Sequence, residues 1–310
     1  MLVRVLGAGA GGGFPQWNCS CRNCRSVRSG VAGFRPRSQS SLAVSRDGSH
    51  WVLLNASPDL RQQIAEAPAL AAREADGLRN SPIKAVVLTN GDVDHMSGVI
   101  NLREAQPFTI YATRRVLDVM AANSVFGILA AGIVDRKVLE LGAKVRLSGA
   151  GADLGLEVEA FDVPGKIALY LEDQSAGPTF GTQVGDTVGL QIRDPETGKA
   201  FLYIPGCADI DDSLRQRLAG ASHLFFDGTL YDDEEMIRAG LLDKSGPRMG
   251  HISMSGPGGS IAKLADLGIG RKIYVHINNS NPVLDENSQE RRAVESAGWE
   301  VGFDGMEVYI

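Results

Sequence analysis

Residues 84–88 (Lys-Ala-Val-Val-Leu) carry the apolar, β-branched run of a strand buried on both faces, and they open directly into Thr89-Asn90-Gly91-Asp92-Val93-Asp94-His95-Met96-Ser97-Gly98. Three potential metal ligands, Asp92, Asp94 and His95, fall within four residues at the C-terminal end of that strand. Carboxylates crowded this closely disfavour each other's ionisation, and a bound cation offsets the repulsion. A chain with this feature needs a sheet to bury the strand and a site at the strand's end.

The remaining pattern supplies the sheet. Residues 41–44 and 51–54 flank Arg46-Asp47-Gly48-Ser49, a hairpin signal. Strands are predicted at 2–6, 108–111, 201–204 and 272–276. More are predicted among the Gly-rich turns of 143–193, including Ala168-Leu169-Tyr170-Leu171-Glu172. Helices are predicted over 98–105, 113–123, 210–218, 232–239, 257–267 and 285–297. Another begins near Ser57-Pro58-Asp59, with Ser57 as N-cap and Pro58 at the first helical position. Strands dominate the start of each half, with helices interspersed. This predicts an α/β fold of stacked sheets with helices outside, in one continuous domain spanning 1–310.

Composition narrows the function. The 310 residues hold 44% hydrophobic side chains and a formal charge of −6, enough for a core and opposite in sign to a nucleic-acid footprint. No run of about 18 apolar residues predicts membrane insertion, and the N-terminus has no apolar stretch of signal-peptide length. The expected compartment is the cytoplasm. Only five His (50, 95, 223, 251, 276) and four Cys are available for chemistry. His50 and His223 read as structural or surface residues.

Three of the cysteines, Cys19, Cys21 and Cys24, lie within six residues. In a chain without an export signal this spacing predicts a structural Zn²⁺ site, with thiolates at roughly 2.3 Å from the metal. His251, Asn279 or a group from a neighbouring chain are candidates for the fourth ligand. A zinc-braced loop here would also suit a homodimer interface. Cys207 reads as a packing residue. Gly7-Ala8-Gly9-Ala10-Gly11-Gly12 fits the G-x-G-x-x-G pattern of dinucleotide loops, but Phe14-Pro15-Gln16-Trp17 is not a helix start, and the 20-residue window that follows holds no acid. The glycines predict a tight loop where backbones come close.

The 89–98 loop resembles the metal signature of the metallo-β-lactamase superfamily, Thr-His-x-His-x-Asp-His-x-x-Gly, with Asn90 and Asp92 in place of the two leading His. Later elements match in order. Val163-Pro164-Gly165-Lys166 stands for Val-Pro-Gly-His, Asp209 for the bridging Asp, and His276 for the terminal strand-end His. Together with the Cys cluster, Phe225-Phe226-Asp227-Gly228-Thr229, Met249-Gly250-His251 and His276-Ile277-Asn278-Asn279, the chain resembles the coenzyme PQQ synthesis protein B family over nearly its whole length. The resemblance implies an αββα sandwich, two mixed sheets with helices on both outer faces and a site at one edge.

It also implies which metal position survives. The three first-position His are replaced by Asn90, Asp92 and Lys166, and an ammonium is a poor ligand. The second position keeps Asp94, His95, His276 and Asp209, with Asp92 in reach. Two His and one carboxylate with open positions form the ligand set of a non-haem Fe(II) oxygenase. The family resemblance implies an iron- and O₂-dependent hydroxylase acting on the tyrosine ring of a Glu–Tyr-derived PQQ precursor. His251 is then expected in acid/base work, Asp227 lining the pocket and Lys166 facing the substrate's acidic groups. Two other classes fit the same residues. One is a metal-dependent phosphodiesterase with a second metal on Asp92. The other is a non-catalytic carrier of PQQ or its precursor, aiding transport to the periplasm.

Overall fold

The computed structural model describes residues 1–177 and 179–310. The strands run β1 (Leu2–Gly7), β2 (Ser41–Ser45), β3 (Trp51–Leu54), β4 (Ile83–Val87), β5 (Phe108–Ala112), β6 (Val134–Val138), β7 (Lys144–Gly149), β8 (Ala152–Asp162), β9 (Val188–Arg193), β10 (Ala200–Ile204), β11 (His223–Asp227), β12 (Arg271–Val275), β13 (Trp299–Val301) and β14 (Glu307–Tyr309). Among the described residues they form two seven-stranded sheets, ordered β14-β1-β2-β3-β4-β5-β6 and β13-β12-β11-β10-β9-β8-β7. Each sheet is mixed. β1, β2 and β3 pair antiparallel, and β3 to β6 parallel. β7 to β10 pair antiparallel, and β10 to β13 parallel. The chain's two ends meet where β14 pairs with β1 and the Met1 ammonium donates to the Ile310 carbonyl at 2.9 Å.

Burial explains the composition of the strands. β2, β3 and β5 are buried at every position, as strands covered on both faces must be. One face fills the space between the sheets, where Val5, Leu42, Val87, Leu190 and Tyr203 pack. The other faces meet the outer helices: Leu53, Val86 and Met120 on one side, Phe226, Leu214 and Trp299 on the other. The architecture is the αββα sandwich of the metallo-β-lactamase fold, as expected. Among the described residues no helix is long and apolar enough to cross a membrane.

Local details depart from the sequence-based expectations. The predicted helix at 57 begins later, at Leu60–Glu66, with Asp59 at the N-cap. Neither side chain caps it: Asp59 accepts from Gln39, and the Ser57 hydroxyl donates to Gln63. Residues 98–105 are not an α-helix. Ser97–Leu102 winds as a 3-10 helix, because Gly98 lies against the backbone of 56–57. The predicted strand at 168–172 is a 3-10 turn, Leu169–Leu171, in a long segment between β8 and β9. The helices predicted at 232–239 and 257–267 shrink to Glu235–Arg238 and Ser260–Lys263. A helix at Arg22–Arg28, inside the cysteine segment, carried no periodic signal.

Candidate metal centre

Three parallel strand ends build the site. After β4, the chain makes one helical turn at Val93–Met96 and is clamped to the end of β3: Ala56 N–H donates to His95 O at 2.7 Å and Gly98 N–H to Ala56 O at 2.9 Å. A Cβ on Gly98 would fall 1.8 Å from the Ser57 carbonyl oxygen, so only glycine permits this approach. β11 ends in Asp227, and β12 runs into His276. His276 has φ +57°, a left-handed conformation rare for a residue with a Cβ and a form of strain that gathers at functional sites. The Gly-rich N-terminal loop holds it there, with Ala10 N–H donating to Ile277 O and Ile277 N–H to Ala8 O, both at 2.8 Å. The glycines thus serve close backbone approach, as the sequence suggested; a Cβ on Gly11 would come within 3.3 Å of the Asp94 carboxylate.

Asp94, His95 and His276 each present one ligand atom, all within 4.8 Å of one another. His276 Nε2 lies 3.0 Å from Asp94 Oδ2, and His95 Nε2 lies 3.9 Å from the same oxygen. His95 Nε2 is fully buried and has no hydrogen-bond partner. A buried nitrogen left without a partner costs free energy unless something coordinates it. Both rings are fixed from behind by a threonine. The Thr89 hydroxyl donates to Asn55 Oδ1, so it accepts from His95 Nδ1 at 3.4 Å. The Thr229 hydroxyl donates to Asp227 Oδ1 at 2.6 Å, so it accepts from His276 Nδ1 at 2.8 Å. These two chains direct both Nε2 atoms at the same space. Burial pushes His95 down to about 4, so it is neutral and offers a lone pair. Burial opposes the charge on Asp94, but the imidazoles of His95 and His276 hold it well below the usual carboxylate range. The residues fit one divalent metal with several positions left open.

A second group, Asp227, His251 and His276, also has its ligand atoms within 4.8 Å of one another. Here the atoms are already used. His251 Nδ1 is 2.7 Å from Asp227 Oδ2 and 3.1 Å from the Thr229 hydroxyl. Burial works against a charge on Asp227, and the charge and hydrogen bond of His251 outweigh it. This closed pair orients His251 and leaves its Nε2 free, the geometry of a proton donor or acceptor. Thr229, which links both groups, was not singled out from sequence; its signal was the Asp-Gly-Thr following a strand end.

The other expected residues divide. The Asp92 carboxylate lies beside the site but accepts from Leu169 N–H at 3.3 Å, and burial and the neighbouring Asp94 raise its pKa. Lys166 pairs with Glu172 at 2.5 Å. Asp209 is corrected: it stands outside the cluster, its carboxylate 60% exposed and paired with Lys263. The chain turns after β10 so that the Cys207 N–H faces inward, donating to Asp227 Oδ2 at 2.9 Å, and Asp209 two residues on faces outward. The carboxylate that the fold does bring beside His276 is Asp227, engaged with His251 and Thr229. Cys207 is buried, as expected of a packing residue.

The three cysteine sulfurs also gather within 4.8 Å of one another. The Asn279 amide caps them, with Nδ2 at 3.2 Å from Cys19, 3.3 Å from Cys24 and 3.7 Å from Cys21. A half-turn of that amide places its oxygen on the same spot, the orientation a metal ligand needs. Of the candidates for a fourth ligand within this chain, Asn279 is therefore in position, and His251 belongs to the other cluster.

Known proteins resemble this chain in sequence and fold. Residues 50–277 match a family model described as a β-lactamase superfamily domain. Coenzyme PQQ synthesis protein B of Methylobacterium nodulans is 53% identical over 310 residues, covering all of both chains. The protein of the same name from Bradyrhizobium diazoefficiens is 49% identical over 312 residues, again covering all of both. The crystal structure of Zn²⁺-bound PqqB from Methylobacterium extorquens superposes with a TM-score of 0.92 at 51% identity over the whole of both chains. A diphosphatase of the PhnP family shares the fold at a TM-score of 0.68 and 20% identity, covering 99% of this chain and 96% of its own. The chain belongs to the coenzyme PQQ synthesis protein B family of the metallo-β-lactamase superfamily, and it is a PQQ biosynthesis protein.

Proposed function

We propose that the chain is an iron- and O₂-dependent hydroxylase acting on the tyrosine ring of a Glu–Tyr-derived PQQ precursor. The observation that carries this reading is the unpartnered His95 Nε2, buried opposite His276 and Asp94. These three residues would hold Fe(II), which would supply a redox-active centre with positions open to O₂ and substrate. Asp94 contributes the charge, and Thr89 and Thr229 keep the two imidazoles in the ligating tautomer. Asp227 holds His251 by Nδ1, so that His251 Nε2 takes and returns the proton of the ring hydroxyl. Lys166 stands where the superfamily has an imidazole and is held beside the site by Glu172, as a cation for the substrate's acidic groups. Hydrolysis by a two-metal clamp is less well served, since Lys166 and Asn90 bring no imidazole to the first position. Zn²⁺ fits the Cys19–Cys21–Cys24–Asn279 cluster as a closed structural site.

The test is anaerobic loading with Fe(II), addition of the Glu–Tyr precursor with ascorbate as the two-electron reductant that takes the second oxygen atom to water, and then admission of O₂. An oxygenated product by mass spectrometry, lost in His95→Ala, is the expected result. Binding of the precursor with no oxygenated product would overturn the hydroxylase in favour of a carrier.

A further inference from the structure

The segment between β8 and β9 crosses the mouth of the metal centre and is tied down there by a buried carboxylate. Tyr170 donates its hydroxyl to the Gly91 carbonyl at 2.8 Å, and Leu169 N–H donates to Asp92, so the segment touches the ligand loop itself. Two residues on, Glu172 turns inward with 3% of its side chain exposed. Its Oε1 accepts from Lys166 at 2.5 Å, and Arg248 grips both oxygens, at 3.2 Å and 2.9 Å. Arg248 also lies flat on the Phe180 ring, 3.7 Å from its centroid. Lys166 packs against Gly250, the residue before His251; a Cβ on Gly250 would meet Lys166 Cβ at 2.9 Å. The two cations therefore stand next to the proposed proton-transfer residue, and one internal carboxylate answers both of them. Leu169, Tyr170 and Leu171 at the crossing are 57%, 45% and 38% exposed, an apolar tip with little holding it from outside. The base, in contrast, is fastened: Arg115 clasps Asp186 at 2.7 Å and 3.1 Å, and the Thr113 hydroxyl holds Gly185 O at 2.7 Å.

We propose that Lys166 and Arg248 form the seat for a carboxylate of the substrate, and that Glu172 occupies this seat as an internal stand-in which the substrate displaces. The inference rests on the reading of the substrate as an amino-acid-derived acid, and it names Arg248 and Glu172 as specificity residues. The exchange is physically cheap. One carboxylate replaces another on the same two donors, so the ion pairs are conserved while Glu172 regains its hydration. A neutral phenol offers no such replacement, because removing Glu172 without it leaves the partly buried Lys166 and the adjoining Arg248 without a counter-charge. Displacement also removes the ion pairs that anchor the crossing at Glu172, leaving Tyr170 and Leu169 as its ties to the ligand loop, so binding favours opening. The base at 185–187 stays fixed.

Glutarate, a plain dicarboxylate, serves as probe against the metal-loaded protein, with calorimetry for affinity and chymotryptic cutting at Tyr170 for opening. Glutarate is expected to speed cleavage at Tyr170 in the unaltered protein. Glu172→Gln is expected to bind glutarate at least about tenfold tighter and to be cut faster without ligand. Arg248→Gln, which keeps a one-to-one pair of Lys166 with Glu172, is expected to weaken glutarate at least about tenfold. The proposal is overturned if Glu172→Gln leaves both affinity and cleavage unchanged. Should that variant not fold, glutarate failing to alter cleavage of the unaltered protein and Arg248→Gln binding it unchanged overturn it equally. Competition by the Glu–Tyr precursor then separates the two readings: glutarate seated as expected but not displaced by the precursor leaves the seat standing and removes the substrate assignment.

Discussion

Residues 276–281 carry His276 at one end and Asn279 in the middle, so the Asp94–His95–His276 cluster and the cysteine cluster are built on the same turn. The two are finished differently. Around the cysteines the polar atoms are already engaged: Asn279 reaches all three sulfurs, and Asn23 Nδ2 spans the carbonyls of Asn279, Ser280 and Asn281 at 3.1 Å, 3.1 Å and 3.0 Å. Arg25 and Arg28 tie back the carbonyls of Ser20 and Cys19. Around the histidines one buried nitrogen is left open, and His276 is held at a backbone conformation it does not favour. A closed shell suits a brace, whereas an open shell leaves coordination for substrate. The brace is positioned to supply the order that the open site lacks on its own.

That asymmetry makes the largest prediction. Cys24→Ser should lose zinc from the brace, cost several kcal/mol of stability and, because Asn279 is released, also lower the uptake of added Fe(II) at the histidines. Metal analysis alongside a thermal melt reads this, and iron content equal to the parent's would break the link between the clusters. The reverse substitution should not propagate. His95→Ala should empty the histidine site while zinc content stays at one per chain, with the melting temperature little changed. Loss of zinc in that variant would mean that the brace depends on the open site instead.

A third effect lies behind the shared turn. Glu235 is buried against it, accepting from the Ser280 hydroxyl and from Tyr231 N–H, both at 2.6 Å. Burial pushes its carboxyl up to about 7, against 4.5 for the free side chain. A raised folded-state pKa means that the native protein binds the proton more tightly than the unfolded chain. The stability this gives is complete below pH 4.5 and is lost as pH rises through 7. Glu235→Gln keeps the shape without the charge and should flatten this slope, making the variant more stable at pH 8 by up to roughly 3 kcal/mol. Parallel denaturation curves at pH 5 and 8 measure it, and an unchanged slope would place the pH dependence elsewhere.

Much of this molecule was legible from its sequence because buried strands and ligand loops write periodic or dense local signals. The hairpin of β2 and β3, the strand before Thr89 and the Asp94–His95 pair needed no knowledge of what lay across the fold. Where a residue's role depends on the turn the chain takes after a strand, the signal fails. Asp209 and Asp227 both follow apolar strands, and only the outward bend after Ile204 decides that Asp209 meets Lys263 while Asp227 meets His251. Lys166 shows a second limit. Its place after Val-Pro-Gly was readable, but its partner Glu172 ends a run that reads as a strand and folds as a 3-10 turn, and Arg248 comes from much further along the chain. The Arg248–Glu172 half of this pairing spans 76 residues and leaves no local trace.

The finest difference between the clusters is how their ligands are steered, by an amide facing three sulfurs in one and by threonine hydroxyls behind two imidazoles in the other. Thr229 carries the larger share, because it stands between His276 Nδ1 and Asp227 Oδ1 in a single chain of donors. Thr229→Val keeps the volume and removes the hydroxyl, so His276 Nδ1 loses its acceptor and the ring no longer prefers the tautomer with Nε2 free. Affinity for an added divalent metal at the histidines should fall about 10- to 100-fold, with the cysteine cluster untouched. Thr229→Ser should restore most of it, since the hydroxyl returns and only a methyl is lost. Recovery in the Ser variant separates steering from packing: if Ser binds iron as poorly as Val, the methyl and not the hydroxyl positions His276, and the two clusters are steered by different physics than the hydrogen bonds suggest.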